Sequence, residues 1–216
     1  MVKCPVPHSI IYYKVVKLLI MSRQQIARIA ANILNPYLLS FIIIILLAME
    51  STSSTDEAIK WSLISLALSV FPVLAVVLYL VRRRKIDGIF INPRRQRSRI
   101  YLLAIFCAVI GYVVLILCDA PELLRAAFVS GLIAVVVFMI INLFWKISLH
   151  TAFITASVTV LIIVYGKTAA WTVIFIPLIA WARLEMRLHT QAQVFAGALL
   201  SAVIVTTIFG LFGMIW

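Results

Sequence analysis

Charge is scarce in this chain. Only 12% of its 216 residues are Asp, Glu, Lys or Arg, against about 25% in an ordinary soluble domain. Acidic residues are scarcer still, 7 against 19 Lys and Arg, which leaves a formal charge of +12. With 65% hydrophobic residues and a mean hydropathy of +1.17, the shortage of polar surface excludes a soluble globular domain. It also excludes nucleic acid as the reason for the basic balance, because no soluble face remains to present the charge. Three cysteines, Cys4, Cys107 and Cys118, offer no disulfide framework. Cys107 and Cys118 lie within one apolar run and read as packing residues. Three histidines with no Cys or His at ligand spacing exclude a zinc-type site, and no carboxylate cluster could hold another metal, so no cofactor is expected. There is no internal repeat. No small-residue cleavage site follows the apolar stretch IIYYKVVKLLI (10–20), so a cleaved signal peptide is not expected.

What the chain has instead is long apolar runs. A helix needs about 20 mostly apolar residues to cross a bilayer. Candidate spans fall at 32–49, 59–81, 100–118, 123–144, 148–165, 168–182 and 192–215. The expected fold is therefore all-α, a polytopic transmembrane helical bundle of about six to seven spans, with Trp171 and Trp181 as interfacial anchors. Residues 1–31 form an N-terminal cytoplasmic or interfacial segment, and Arg23, Arg28, Ile26, Ile29 and, just past it, Ile33 suit a helix lying on the membrane surface. Residues 32–216 form the membrane domain. Alternating the loops puts 16 of the 19 basic residues on one side with only Asp87 and Glu185. The other side holds Lys60, Arg125 and Lys167 against Glu50, Asp56, Glu57, Asp119 and Glu122. Basic loops stay in the cytoplasm, so the expectation is a multi-pass protein of the cell membrane with its N-terminus and basic loop 82–99 inside.

Four polar segments on the basic side do more than topology requires. The loop RRRKIDGIFINPRRQRSR (82–99) can bind anionic lipid headgroups or clamp a phosphate. In Lys146-Ile-Ser-Leu-His150, Ser148 suits a helix N-cap, and a helix N-terminus with a His beside it also suits an anion. Arg183 and His189 are six residues apart and would diverge by about 120° on one straight helix, so a turn is needed to bring them together. Thr190-x-x-Gln193 reads as a capping box, while His189 and Gln193, at i and i+4, can meet on one face. The two roles compete for one amide, so serving both requires the Gln193 side chain to alternate.

In order, these segments resemble the type 2 phosphatidic acid phosphatase (PAP2) superfamily, whose motifs are KxxxxxxRP, PSGH and SRxxxxxHxxxD. The third reads ARLEMRLHTQAQ (182–193) here, with Arg183 and His189 at the family spacing. The second is reduced to Ile147-Ser148-Leu149-His150. The first places Lys85 seven residues before Asn92-Pro93, with Arg94, Arg95 and Arg97 close behind. The resemblance covers about 83–205. Three positions depart from it: Ala182 replaces Ser, Leu149 replaces Gly, and Gln193 replaces the carboxylate that orients the family's nucleophilic His. It implies a membrane phosphatase acting on a lipid phosphate or isoprenyl diphosphate, with neither metal nor cofactor. His189 would attack phosphorus to give a phosphohistidine, Gln193 would orient it, and His150 would protonate the leaving oxygen and then activate water. Lys85, Ser148, Arg183 and one or more of Arg94, Arg95 and Arg97 would hold the phosphate oxygens. The alternative is a catalytically inactive relative that binds or transports a lipid phosphate.

Overall fold

The structure, a computed structural model, describes residues 22–86, 88–89 and 94–215, and the side chains of Arg94 and Arg95 lie outside that description. Expectations for 1–21, including Cys4, therefore fall outside the described residues. The elements in chain order are α1 (Arg23–Ile33), α2 (Pro36–Glu50), α3 (Thr55–Leu68), α4 (Val70–Arg82), α5 (Arg94–Leu117), α6 (Glu122–Phe144), α7 (Leu149–Tyr165), a 3-10 segment (Gly166–Ile174), α8 (Phe175–Glu185) and α9 (Gln191–Leu211). The fold is an all-α polytopic bundle, as the apolar runs require. Five helical stretches are long and apolar enough to cross a membrane, or six if the bent α3–α4 pair forms one span.

Local chemistry sets the helix starts. Ser22 and Gln25 form a capping box on α1, with the Ser22 amide donating to Gln25 Oε1 at 2.7 Å. Asn35 caps α2 through Leu38 N–H at 2.9 Å, and Pro36 occupies the first turn, where its missing N–H costs nothing. Ser54 caps α3, whose first turn carries Asp56 and Glu57 at the positive end of the helix dipole. The helix ends are equally legible. Asp119 (φ 52°) and Arg187 (φ 52°) sit in the left-handed region. Behind them, Ala120 N–H reaches Leu115 C=O at 2.8 Å and Leu188 N–H reaches Arg183 C=O at 3.2 Å. These are Schellman endings, built without the usual glycine.

Three features differ from the sequence expectation. The run 59–81 is not one straight helix: it bends by 40° at Ser69. Pro72 has no N–H for the Leu68 carbonyl and its ring crowds that group, while Ser69 Oγ donates to Ser65 C=O at 2.6 Å. The loop 82–99 is shorter than expected, because α5 begins at Arg94 and carries Arg94, Arg95, Arg97 and Arg99 on a helix. Cys107 is buried, but Cys118 is exposed at the end of the α5 run, so only the former packs.

The stretch from Leu149 to Glu185 is 37 residues of continuous helical structure. Straight, it would be about 55 Å long and would part His150 from Arg183. Both residues line the same cavity. Gly166 (φ 61°) turns the chain, and Ile154 and Val158 of α7 pack with Ile179 and Ala182 of α8. The stretch is an antiparallel hairpin that returns α8 to the end where α7 began. On its outside, α1 joins the same cluster through Ala27 and Ala31, leaving Ile26, Ile29 and Ile33 exposed. Trp171 is exposed on the hairpin, and Trp181 is half-buried beside α1.

The last helix, α9, packs on the start of α7. A Cβ on Gly197 would lie 2.7 Å from the Ser148 carbonyl oxygen, a contact with backbone that no side-chain rotation can relieve. Gly197→Ala should therefore lower stability by about 1–3 kcal/mol, the usual range for overpacking. Gly131→Ala, where nothing lies within 4 Å of the added atom, serves as the reference. Equal thermal unfolding midpoints for the two variants would refute the close α7–α9 contact.

Candidate functional site

The residues 146–148 before α7 tie together three other parts of the chain. Arg97 Nη1 of α5 donates to Ile147 C=O at 3.2 Å. Lys146 Nζ donates to Leu188 C=O at 3.0 Å, in the turn before α9. Ser148 N–H donates to Gln193 C=O at 3.2 Å, in the first turn of α9. The Ser148 hydroxyl is used as the cap of α7: it accepts from Thr151 N–H and pairs with the Thr151 hydroxyl at 2.8 Å. These ties bring His150, at the start of α7, to the same place as Arg183 and His189. The left-handed Arg187 supplies the turn that lets the last two converge.

Gln193 performs both of its expected roles at once. Thr190 Oγ1 accepts from Gln193 N–H at 3.4 Å and Gln193 Oε1 accepts from Thr190 N–H at 3.3 Å, which completes the capping box. The same Oε1 lies 3.1 Å from His189 Nδ1. An amide oxygen has two lone pairs, so the side chain need not alternate, and that expectation is corrected. The arrangement also fixes the histidine tautomer. Thr190 N–H can only donate, so the shared atom must be the amide oxygen, and Nδ1 must carry the proton it offers. Nε2 then holds a lone pair, and it has no hydrogen-bond partner among the described residues.

The surroundings keep that lone pair unprotonated. Burial is the largest influence on His189, followed by the nearby charges of Arg183, Lys146 and Arg97; together they push its pKa down to about 3, against a small opposing pull from Gln193. Lys146 is itself lowered from the ordinary lysine value, by burial first and then by Arg97 and Arg183. Cations of one sign thus crowd one end of the bundle. The two ion pairs among the described residues, Arg23–Glu185 at 3.2 Å and Arg125–Glu122 at 3.7 Å, bring no carboxylate to Lys146 or Arg183.

This basic end opens into a cavity of about 390 Å³ between α2, α5, α6, α7 and α9. Arg97, His150, Arg183 and His189 line its polar end. The rest is mostly apolar and carries no further charge: large side chains such as Leu47, Phe128 and Phe138 line it together with Ala104, Ala108 and Gly131, and a few serines interrupt them. Its lining runs from Arg97 to Ala108 on α5 and from His150 to Val160 on α7, about 15 Å of helix rise. That is about half the hydrocarbon thickness of a bilayer.

The structure therefore gathers four of the expected site residues, His150, His189, Arg183 and Arg97, around one cavity, with Gln193 behind His189. It leaves two aside. Ser148 is fully buried as a cap and does not line the cavity. Lys85 is exposed beyond the end of α4 and is also absent from the wall. The side chains of Arg94 and Arg95 are outside the described residues. Two residues were missed by sequence reasoning. Tyr101 lines the wall one turn beyond Arg97, and its i+4 spacing was the available signal. Lys146 was read only as part of the Ser148–His150 segment, although its charge acts on His189. Ala182 points into the α1–α8 contact rather than the cavity. No family model, curated protein or solved structure matches the chain.

The low pKa of His189 has a consequence for stability. Between about pH 6.5 and the folded value of about 3, the unfolded chain binds a proton at His189 that the folded chain refuses. Stability rises with pH wherever the unfolded state binds more protons, so His189 makes the protein less stable as pH falls below about 6.5. His189→Gln should flatten the decline of the unfolding midpoint between about pH 6.5 and 4. Parallel midpoint curves for the variant and the wild type would show that His189 titrates normally in the fold.

Proposed function

We propose that the protein is a membrane phosphatase of a lipid phosphate or isoprenyl diphosphate, from a divergent branch of the PAP2 superfamily. The observation that carries this reading is a buried, neutral imidazole with its Nε2 lone pair available, among buried arginines at the head of an apolar cavity. A phosphoryl group at that head would meet Arg97 and Arg183, whose planar forks match phosphate oxygens. Its acyl or prenyl tail would occupy the apolar length of the cavity. In the first step His189 Nε2 forms a bond to phosphorus while the bond from phosphorus to the lipid oxygen breaks, and His150, entering as the imidazolium once the bound phosphate offsets the surrounding cations, gives that oxygen its proton. In the second, water attacks the phosphohistidine, His150 takes a proton from the water, and inorganic phosphate leaves with His189 restored. Gln193 holds Nδ1–H throughout, so attack always comes from the same nitrogen. The positive charge of the site stabilises the equatorial oxygens as charge redistributes. On charge grounds this basic end faces the cytoplasm of the cell membrane, among anionic headgroups.

A non-enzymatic reading has one observation in its favour. Gln193 offers His189 a neutral acceptor, and charge-assisted hydrogen bonds are roughly twice as strong as neutral ones. A protein that holds a lipid phosphate without cleaving it would tolerate that loss.

The readings separate on phosphate release from phosphatidic acid and from a prenyl diphosphate in mixed micelles, with a chelator present. The phosphatase reading expects turnover, a loss of several orders of magnitude in His189→Ala, and a loss of roughly 10²–10⁴ in His150→Ala, the usual worth of a general acid. Gln193→Leu should lose both rate and about 1 kcal/mol of stability, because one side chain caps the helix and orients the nucleophile. Binding without release in the wild type would favour the carrier. Equal release by wild type and His189→Ala would assign the activity to something other than this site.

A further inference from the structure

A second chamber, of about 280 Å³, lies beyond Arg183 from the apolar cavity. Its walls include Arg28 and Asn32 of α1, Arg183 and Met186 at the end of α8, and Gly88. Arg183 lines both spaces. The placement follows from packing. Ala27 and Ala31 bring α1 onto Ile179 and Ala182 of α8. That contact sets Arg28 and Asn32, four residues apart and so on one face, over the end of α8. Both are exposed, so the chamber opens to the surface there.

Among the described residues its charged walls, Arg28 and Arg183, are both cationic. Glu185, two residues from Arg183, is taken by Arg23 at 3.2 Å. Among the described residues, no carboxylate lies within ion-pair distance of Arg28 or Arg183. Arg183 is 4% exposed and its Nε has no hydrogen-bond partner among those residues. A buried guanidinium with an unused donor needs an acceptor. Two guanidinium groups and an amide around a small space offer the fork geometry that suits phosphate oxygens.

We infer that this chamber is a second phosphoryl-anion site, in which Arg28, Asn32 and Arg183 hold a phosphate between the apolar cavity and water. Beyond Arg97, Arg183 and the two histidines at its head, the apolar cavity gives inorganic phosphate no cationic partner along its length. The second chamber does, and Arg183 can pass the anion from one space to the other without leaving it unpaired. The origin of the phosphate rests on the phosphatase reading; its binding here does not. The ligand is either free phosphate or the phosphate of a lipid headgroup, and the two are separable.

The test uses the full chain purified in phosphate-free detergent. One arm titrates inorganic phosphate by calorimetry; the other titrates phosphatidic acid in mixed micelles. Arg28→Ala should weaken binding by about tenfold, the effect of losing one or two charged hydrogen bonds. Arg28→Lys should fall between, since lysine keeps the charge and loses the fork. Arg99→Ala removes the same charge from an exposed position on neither chamber wall, and should bind like the wild type. Unfolding midpoints of all variants show whether each is folded. Weakening in the phosphate arm identifies free phosphate as the ligand, and weakening in the lipid arm alone identifies the headgroup. Wild-type affinity of Arg28→Ala in both arms overturns the site. So does an equal loss in Arg99→Ala, which would reduce the effect to net charge. Phosphate binding that depends on Arg28, without any lipid phosphate hydrolysis, leaves this site standing and sinks the phosphatase reading alone.

Discussion

Everything at the basic end depends on how closely α9 approaches the first turn of α7. The Ser148 amide donates to the Gln193 carbonyl at 3.2 Å, and four residues later Gly197 leaves no side chain to keep the Ser148 carbonyl away. Two helix starts are thereby held side by side. His150 is the second residue of α7 and His189 precedes α9 by two, so their convergence follows directly from this backbone contact. The ties from Arg97 to Ile147 and from Lys146 to Leu188 reinforce it from either side. A bundle with the same helices and a side chain at 197 would spread these segments and separate the two histidines.

The same contact concentrates charge. Arg97 and Arg183 are buried, Lys146 is half-buried, and burial of a charge is unfavourable without an opposing partner. Among the described residues no carboxylate pairs with Arg183 or Lys146, and Glu185 pairs with Arg23. Such an arrangement persists when it has a purpose for its positive potential, since perturbed groups cluster at functional sites. The depressed pKa of His189 belongs to the same electrostatics, because the cations that would attract an anion also repel a proton from the imidazole. An electrophile-seeking lone pair and an anion-seeking wall are two results of one charge distribution.

Much of the bundle was legible in the sequence, because a lipid-facing helix declares itself by the length of its apolar run. The breaks were less so. Pro72 sits inside an apolar run that hydropathy reads as continuous, and only the geometry of its ring against Leu68 bends the helix. The start of α5 was hidden because Arg94–Arg99 is too charged to look like part of a span. At the site, the capping box and the His189–Gln193 contact were readable, since both depend on spacings of three and four residues. The convergence of Arg183 with His189 depended on a left-handed arginine, which sequence patterns assign to glycine. Lys146 and the chamber beside Arg28 arise from tertiary packing, which no local pattern encodes.

The neutral residue at 193 fits this charge distribution better than a carboxylate would. A carboxylate there would strengthen the hydrogen bond to Nδ1. It would also offset the charges of Arg183 and Lys146, the two cations that act most strongly on His189. It would raise the pKa of His189 as well, because a nearby negative charge favours the imidazolium, and protonation would consume the Nε2 lone pair. Gln193 avoids both effects. Its oxygen fixes the tautomer while caught between the Thr190 amide and Nδ1, and it leaves the positive potential undiminished. Orientation and charge are separable contributions, and a site already rich in buried arginine needs the first more than the second.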